Sequence, residues 1–402
     1  MTVHHSRRAC LLVALTLVFC VLAVDADTPG ANASLSSALA PAQPVTLGES
    51  LENLGRLYQD KNNPVLQELW FLGRYHGQQH WSDANRGPYE ESWENRRLRF
   101  GAQAKFFNKL TLHAQMLSGT DLEPFYGGFT ELWAQWSFSD TLNLTIGQQK
   151  HRFSHERNVS SRYMNYLERS MLTNMFALDY TPAVTLSGKI GRFNYYTGVF
   201  SNATSRSIGR SFTDFDSGWS FLANLTYDLG KSLGTDTAFL NVSYLRSDPD
   251  ASATLMTRFE HGVAAALIFT EGPLSLVTEV TFGLGGARGD AHGLNLQPGL
   301  FLTDKLQIVA RYQLAISDQR TGLTAQRRYE RNVGLNTGDL YRAGYAGLNY
   351  YIAGHRLKLI TGVEYSKMGD RDCWTGMAAV RLFWGPHAQG PFPMAQTLEG
   401  MW

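Results

Sequence analysis

The sequence predicts an all-β fold, a transmembrane antiparallel β-barrel of about sixteen strands with a short helical segment near the N-terminus. Segments of roughly ten residues alternate between apolar and polar side chains from residue 65 to residue 384. The linkers between these segments alternate between very short turns and longer polar loops. After the N-terminal segment, no apolar run approaches the roughly 20 residues that a membrane-spanning helix needs.

Residues 1–26 have the pattern of a secretory signal peptide. Arg7 and Arg8 precede a short apolar stretch, and Val24, Asp25 and Ala26 form a small-residue cleavage site. The apolar stretch is about fifteen residues, which is shorter than a membrane-spanning helix requires. We therefore expect cleavage and export of the remaining chain.

Residues 27–64 are expected to form a flexible leader followed by a short amphipathic helix. The leader is rich in small and polar residues, and within 47–60 the leucines recur at three- and four-residue spacing, which is typical of one helical face. The helix would pack on one end of the barrel or on a second copy of the chain, and the sequence leaves both open. Residues 385–402 follow the last strand as a C-terminal tail.

The barrel itself is expected to occupy residues 65–384. In the segment 218–229, Phe221 and Leu225 share one face while Asn224 and Thr226 share the other. This period of two is that of a strand with one face toward lipid and one toward water. The longer polar linkers, which we expect at one end of the barrel, are 82–93, 151–182, 203–217 and 317–337.

Composition adds little about partners. The formal net charge is +1 and the mean hydropathy is −0.23, so neither value indicates a nucleic-acid partner. Of the three cysteines, Cys10 and Cys20 lie in the signal peptide and only Cys373 would remain after cleavage. The mature chain would therefore contain no intramolecular disulfide, and a closed sheet would hold it together without an exposed edge.

A long cationic loop is the expected site of selectivity. The stretch from Thr141 to Phe176 begins as an alternating strand and then becomes polar and irregular. Loops of this length are usually functional, and a loop folded into a barrel can narrow it. The candidate substrate-binding residues of this constriction loop are Lys150, Arg152, Arg157, Arg162 and Arg169.

Further cations fall on the polar faces of the predicted strands, where they outnumber the acids. They would give a chain of nearly zero net charge a cationic lumen; alternatively, they pair with acids and only stiffen the wall. The candidate pore-lining cations are Arg74, Arg97, Arg99, Lys105, Arg258, Arg311, Arg356 and Lys358, and Arg381 has the same position in its strand.

Several runs of residues together resemble the phosphate-selective porin O and P family. They are RRLRFGAQAKFFNKLTLHAQ from Arg96, then FTELWAQWSF, LNLTIGQQKHRFS and SSRYMNYLERSMLTNMF, in that order, and GYAGLNYYIAGHRLKLITGVEYS near the C-terminus. The resemblance implies a sixteen-stranded, trimeric outer-membrane channel whose lumenal cations select anions such as phosphate. The motif positions that can be carried over are Lys150, Arg162, Glu168 and Arg169.

No catalytic, metal-binding or cofactor-binding motif is predicted. His151 and His155 lack a third ligand at useful spacing, and the glycine-rich run 283–289 is not followed by a helix. We therefore expect an outer-membrane diffusion channel with lipid, small anions and further copies of itself as partners. A barrel enzyme of the lipase or protease type and a non-conducting scaffold or adhesin remain the alternatives.

Overall fold

The computed structural model describes residues 45–204 and 207–386, so the predicted signal peptide, most of the predicted leader and the tail from residue 387 lie outside the described residues. More than half of the described residues are in β-strands. The helices are α1 (Leu47–Asn53), α2 (His155–Asn158), α3 (Met171–Asn174), α4 (Arg210–Thr213) and α5 (Gly230–Leu233), with one 3₁₀ turn at Thr120–Leu122. None of the helices in this part of the chain is long and apolar enough to cross a membrane.

The first strands are β1 (Arg56–Gln59), β2 (Leu66–Ala84), β3 (Tyr89–Phe106), β4 (Leu110–Leu117), β5 (Phe129–Ser139), β6 (Leu142–Lys150), β7 (Tyr180–Ile190), β8 (Phe193–Ser201), β9 (Gly218–Asp228) and β10 (Thr237–Pro249). They are followed by β11 (His261–Glu271), β12 (Leu274–Leu284), β13 (Ala291–Phe301), β14 (Leu306–Ser317), β15 (Leu323–Thr324), β16 (Thr337–Gly338), β17 (Leu340–Tyr351), β18 (Leu357–Met368) and β19 (Arg371–Trp384).

The strands form one closed antiparallel barrel. Each of β2–β14 pairs with its neighbour in the chain, β14 pairs with β17, and β19 returns to pair with β2 from Cys373↔Ala84 to Trp384↔Gly73. The sheet has 17 strands, of which four-residue β1 only pairs with the start of β2, so 16 strands form the wall as predicted. Closure leaves the wall without an edge strand.

The wall has a polar inner face and an apolar outer face, as the alternation predicted. On β9 and β14 the polar residues Asn224, Thr226, Arg311 and Gln313 are buried toward the interior. Apolar side chains such as Leu225, Ile308 and Tyr312 are exposed on the outside, where a membrane would cover them.

Two predicted boundaries were wrong. The linker expected at 82–93 is a turn of residues 85–88, because β2 and β3 continue to Ala84 and from Tyr89. The helix expected at 47–60 ends at Asn53. Residues 56–59 pair instead with Glu68, Leu69 and Trp70, a part of β2 that extends beyond the end of β19 and would otherwise expose its hydrogen-bonding groups.

Long loops and short turns lie at opposite ends of the barrel. The short-turn end contains the connections 107–109, 140–141, 191–192 and 272–273, together with α1 and β1. The other end contains the long loops, of which three matter below: L3 (151–179), between β6 and β7; L5 (250–260), between β10 and β11; and L7 (318–339), between β14 and β17. In outer-membrane barrels the long loops face outward from the cell.

Candidate functional site

L3 lies inside the barrel rather than over its rim. From Lys150 to Thr173 every residue except Ser160 is buried, although the segment is rich in charged side chains. Buried polar groups need partners, so the contacts of this segment determine which of its charges can meet a solute.

The carboxylate of Glu156 holds L3 in its compact shape. It accepts hydrogen bonds from the backbone N–H of Ser170 at 2.8 Å, from the Ser170 hydroxyl at 2.5 Å and from the Thr173 hydroxyl at 2.7 Å. The side chain of Gln297 on β13 donates a further hydrogen bond at 3.0 Å. Glu156 therefore joins α2, α3 and the barrel wall.

Cations of the wall bind the backbone of L3. The guanidinium of Arg381 donates to four carbonyl oxygens, those of Ser161 and Met164 at 3.1 Å and those of Tyr166 and Leu167 at 2.7 Å. The Nζ of Lys358 donates to the Met164 carbonyl at 2.8 Å. Both cations position the loop, and their hydrogen-bonding capacity is largely used in doing so.

Arg311 and Arg74 also contact L3 from the wall. Arg311 donates to the Glu168 carbonyl at 2.8 Å and forms a 2.9 Å ion pair with Glu364 on β18. Arg74 donates to the Ser161 hydroxyl at 2.9 Å. The two predicted pore-lining arginines therefore differ, because Arg311 has a carboxylate partner and Arg74 has a neutral one.

The five predicted cations of the constriction loop have different surroundings. Lys150 donates to the Val159 carbonyl at 3.0 Å, and Arg152 to the Asn158 carbonyl at 3.3 Å. Arg162 donates to the Pro386 carbonyl at 3.2 Å and lies over the ring of Phe383, near the end of β19.

Arg157 and Arg169 are the two loop cations that line the large cavity described next. Each also binds backbone carbonyls, Arg157 that of Asp179 at 3.2 Å and Arg169 that of Val159 at 2.9 Å. The structure therefore brings two of the five loop cations to a solvent-filled space and directs the others into the loop and the wall.

A cavity of about 830 Å³ opens at the long-loop end, and we call it the vestibule. Its wall contains ten arginines and two carboxylates, Glu168 and Asp179. The arginines are Arg96, Arg97 and Arg99 of β3, Arg157 and Arg169 of L3, Arg258 of L5, Arg288, and Arg327, Arg328 and Arg331 of L7.

Arg96 reaches the vestibule because β3 contains a bulge. The pairing of β3 with β2 shifts between His76↔Arg97 and Gly77↔Asn95, so Arg96 has no partner of its own in the ladder. A bulge inserts one residue and breaks the alternation of faces. Two consecutive arginines, Arg96 and Arg97, therefore both contact Glu168 inside the barrel. Strict alternation would put Arg96 on the outer face of β3.

Glu168 is the centre of the charge network at the vestibule. Its carboxylate lies 2.5 Å from Nε of Arg96, 3.8 Å from Nη2 of Arg97 and 3.5 Å from Nε of Arg328. Arg328 also forms an ion pair with Glu94 on β3. L7, L3 and the wall are thus joined through one carboxylate.

Arg99 of the vestibule wall and Arg74 of β2 are direct cross-strand partners. Like charges opposite one another destabilise a sheet, and both side chains are more than nine-tenths buried. Arg99 donates to the Tyr180 hydroxyl at 3.1 Å, while the Nε atoms of Arg74 and Arg99 have no hydrogen-bond partner within the described residues. The buried carboxylate of Glu131 on β5 interacts electrostatically with both guanidinium groups, so one acid stands against two positive charges and this wall keeps an excess of positive charge.

L7 covers a second buried cluster, which is acidic. Glu330 is fully buried and accepts hydrogen bonds from the Tyr341 hydroxyl and from the backbone N–H of Gln326, both at 2.7 Å. Burial, together with the negative charge of nearby Glu364, raises the pKa of Glu330 to about 7. This carboxyl group therefore changes charge near neutral pH.

Three predicted pore-lining cations lie away from the part of the wall that contains Arg74 and Arg99. Arg258 and Arg356 were expected within strands, but β11 begins at His261 and β18 at Leu357, so both lie in connections. Arg258 still lines the vestibule, whereas Arg356 lies in a short turn with Glu52 at 3.1 Å. Lys105 is half-buried opposite Glu68, near the short-turn end of β3.

Sequence reasoning missed Arg96, Arg288, Arg327, Arg328 and Arg331. For the last three, the run Gln326 to Asn332, with three arginines in a long polar linker, was an available signal. His151 and His155 are both buried, and no group of three metal-ligating side chains occurs between residues 45 and 386, apart from the two undescribed positions.

Comparison with known proteins agrees with this geometry. Residues 74–264 match the family described as phosphate-selective porin O and P. The fold is similar to OmpF of Salmonella typhi, solved in complex with daunomycin, at 10% identity and a TM-score of 0.56, over 81% of this chain and 100% of that chain. No curated protein sequence matches this chain.

Two further solved structures share the fold. OprB of Pseudomonas putida, in its high-pH structure, is 12% identical with a TM-score of 0.54, over 78% of this chain and 94% of that chain. A loop-deletion mutant of OmpT, an outer membrane protein of Vibrio cholerae, is 11% identical with a TM-score of 0.53, over 79% of this chain and 99% of that chain. At these identities the likeness concerns the fold alone. The family match over residues 74–264, the closed 16-stranded barrel and the loop folded into its lumen together support an outer-membrane porin channel that is similar to the phosphate-selective porin O and P family.

Proposed function

We propose that this porin is a passive diffusion channel that prefers anions, with phosphate and other oxyanions as the solutes of interest. The observation that carries the proposal is the cross-strand pair of Arg74 and Arg99, the second of which is one of the ten arginines that line the vestibule. Two buried guanidinium groups opposite each other destabilise the sheet, so stability of the sheet does not explain this pair. A passing anion would supply the missing negative charge.

The chemistry of arginine suits this role. The guanidinium stays charged at any relevant pH and presents a planar set of donors that fits oxyanions. A narrow, low-dielectric passage strengthens the field of such charges. Cations would meet repulsion along the same wall, so the proposal predicts selectivity as well as passage.

The route we propose runs along the inner face of β2 and β3. It enters the vestibule at Arg96 and Arg97, passes Arg99 and Arg74, and continues between this wall and L3, whose Ser161 hydroxyl accepts a hydrogen bond from Arg74. Wall cations bound to loop carbonyls, such as Arg381 and Lys358, keep L3 in place beside the route. In this proposal the predicted lumenal cations have two roles: some attract solutes, and others hold the loop in position.

The outer surface supports assembly into a homotrimer. On β17, β19, β3 and β4 the outward positions include small residues, among them Gly344, Ala346, Ala378, Ala102 and Ala114. On the opposite wall the outward positions are bulkier, as at Leu240, Val242, Leu267 and Leu276. A flat face of small residues allows two barrels to approach closely, whereas bulky side chains suit lipid.

The experiment is a reversal-potential measurement on the purified protein in planar bilayers across a potassium chloride gradient. An anion-selective channel moves the reversal potential toward the chloride equilibrium potential. A preference for potassium would contradict the proposal. A barrel that inserts without any current would favour the scaffold alternative, and hydrolysis of lipid or peptide substrates without current would favour the enzyme alternative.

A further inference from the structure

The vestibule wall has an apolar part beside its arginines. Met175 and Leu178 of L3 and Leu117 of β4 line the cavity together with the cations, and Tyr180 at the start of β7 lies between the two groups. Leu117 is the cross-strand partner of Arg99. A hydrated inorganic ion would gain nothing from contact with these apolar side chains, whereas an apolar group would remove their surface from water.

Resting on the proposed anion channel, we propose that the vestibule is a binding site for organic anions that carry an aromatic or apolar group next to the acidic group. The acidic group would meet the arginines of β3, and the ring or chain would cover Leu117, Met175, Leu178 and Tyr180. The class includes aryl phosphates, aryl sulfonates and aromatic carboxylates.

The size of the vestibule fits such a solute. Sites for small organic molecules are clefts of about 300 to 1,000 Å³, mostly apolar, with a few polar groups that fix orientation. The vestibule has a volume of about 830 Å³, so a single inorganic oxyanion would occupy a small part of it. A ring with an attached acidic group would contact both kinds of wall at once.

The geometry around Tyr180 shows how the two walls meet. Its hydroxyl accepts a hydrogen bond from Arg99 at 3.1 Å, and the guanidinium carbons of Arg99 and Arg157 lie 5.3 and 5.9 Å from its ring centre. Guanidinium groups stack favourably on aromatic rings, so the same arginines can contact a second ring in the cavity.

Arg99 also carries a charge that its hydrogen bonding does not balance. Its side chain is 7% exposed, and it donates to the neutral hydroxyl of Tyr180. Its Nε has no hydrogen-bond partner among the described residues, but this atom is covered by the protein, so a solute would meet the charge of Arg99 and not this donor. An acidic group placed beside Leu117 and Tyr180 would balance that charge.

The test is the block of chloride current through the inserted full-length protein. Phenyl phosphate and inorganic phosphate are added separately to the long-loop side, with benzyl alcohol as an uncharged aromatic control. We expect phenyl phosphate to reach half-block at a concentration at least tenfold below that of phosphate, and benzyl alcohol to have little effect. Equal half-block by the two phosphates in an anion-selective channel would overturn the inference while the proposed function stands.

Two variants test the apolar part and the arginine part of the vestibule separately. Leu178→Asn, which keeps the size of the side chain, should reduce the preference for phenyl phosphate at least threefold and leave block by phosphate unchanged. Arg99→Gln should weaken block by both phosphates to a similar degree. If Leu178→Asn inserts normally and retains the full preference, or if benzyl alcohol blocks as strongly as phenyl phosphate, the inference is wrong. A cation-selective parent channel would instead contradict the proposed function itself.

Discussion

Nε of Arg328 in L7 lies 3.5 Å from the carboxylate of Glu168 in L3. Two loops that are 160 residues apart along the chain therefore meet at one ion pair above the arginine-lined wall. Arg96 and Arg97 contact the same carboxylate, so Glu168 neutralises charge that would otherwise face the solute.

Glu168→Gln should increase the anion preference of the channel. The amide keeps the shape of the side chain but removes its negative charge, which leaves Arg96 and Arg97 without an ion-pair partner and Arg328 with Glu94 alone. We expect the chloride-to-potassium permeability ratio to rise about twofold or more, measured from reversal potentials. Asp339→Asn in L7, which lies outside the vestibule lining, is the control and should leave the ratio unchanged. An unchanged ratio in Glu168→Gln would show that Glu168 does not affect the permeant ions.

Arg381→Met should release L3 from the wall. Four buried carbonyl groups would lose a hydrogen bond, and that of Met164 would keep only the one from Lys358. Each group left unsatisfied costs about 1 to 3 kcal/mol, although a loop can move to satisfy some of them. We expect a larger and noisier single-channel conductance and a lower thermal transition of the barrel. Arg342→Met, at an exposed position on the outside of β17, is the matched control and should behave like the parent. Parent-like conductance and stability in Arg381→Met would contradict the anchoring role.

The loop arginines should divide into two groups. Arg157→Ala and Arg169→Ala together should lower the anion preference, because both side chains line the vestibule. Arg152→Ala should mainly lower stability, because that side chain binds within L3 and lies over the ring of Tyr196. Reversal potentials and thermal melts of both variants test the division. A larger change of selectivity in Arg152→Ala than in the double variant would reverse the assignment.

The docking of L7 should weaken as the pH rises through neutrality. Glu330 faces Tyr341 of β17, Glu364 of β18 and its neighbour Tyr329, and its pKa is raised from 4.5 to about 7. A raised carboxyl pKa means that the folded state holds a proton which the undocked state has lost. The contribution to docking is therefore complete below pH 4.5 and falls as the pH passes through about 7.

Trypsin cleavage within L7 provides the measurement, because Arg327, Arg328 and Arg331 are targets once the loop opens. We expect the ratio of the cleavage rates of the parent and Glu330→Gln to rise several-fold from pH 6 to pH 8.5. Taking this ratio at each pH cancels the pH dependence of trypsin itself. A constant ratio would show that Glu330 does not control the loop.

A bulky residue on the proposed interface should disrupt the trimer. Ala102→Trp on β3 would separate the small-residue faces of neighbouring barrels, whereas Ala265→Trp on β11 would point into lipid. We expect monomers on native gels for the first variant and trimers for the second. Trimers in both variants would place the interface elsewhere, and monomers of the parent would remove the assembly proposal without affecting the channel.

The sequence predicted the wall of this protein better than its loops, for a physical reason. A strand between lipid and water must alternate, so β9 and β14 were recognisable from side chains alone. The end of β2, from Ser82 to Ala84, and the start of β3, from Tyr89 to Trp93, were expected as a linker. They are mostly polar and form strands because β2 pairs there with β3 and β19. Pairing of this kind leaves no local pattern.

The sequence indicated that arginines line the lumen, but it did not indicate which of them lie together or what they contact. That Arg74, Arg97 and Arg99 face inward follows from alternation, but the bulge that adds Arg96 depends on the register between β2 and β3. The partners of the loop cations depend on how residues 151–179 fold back on themselves. Arg152 and Arg157 are five positions apart in one polar run, and only the fold shows that Arg157 lines the vestibule.

The hydrogen bonds from Arg381 to the backbone of L3 determine which substitutions in this loop the fold can accept. The four oxygens it binds are main-chain atoms, which every amino acid supplies, so the attachment does not specify the side chains of residues 161–167. Tyr166 and Leu167 pack against the wall, whereas Ser161 lines the vestibule. A replacement at Ser161 that keeps the backbone path would therefore retain the anchor while presenting different chemistry to the passage, and the same barrel could be given a new solute preference at this position.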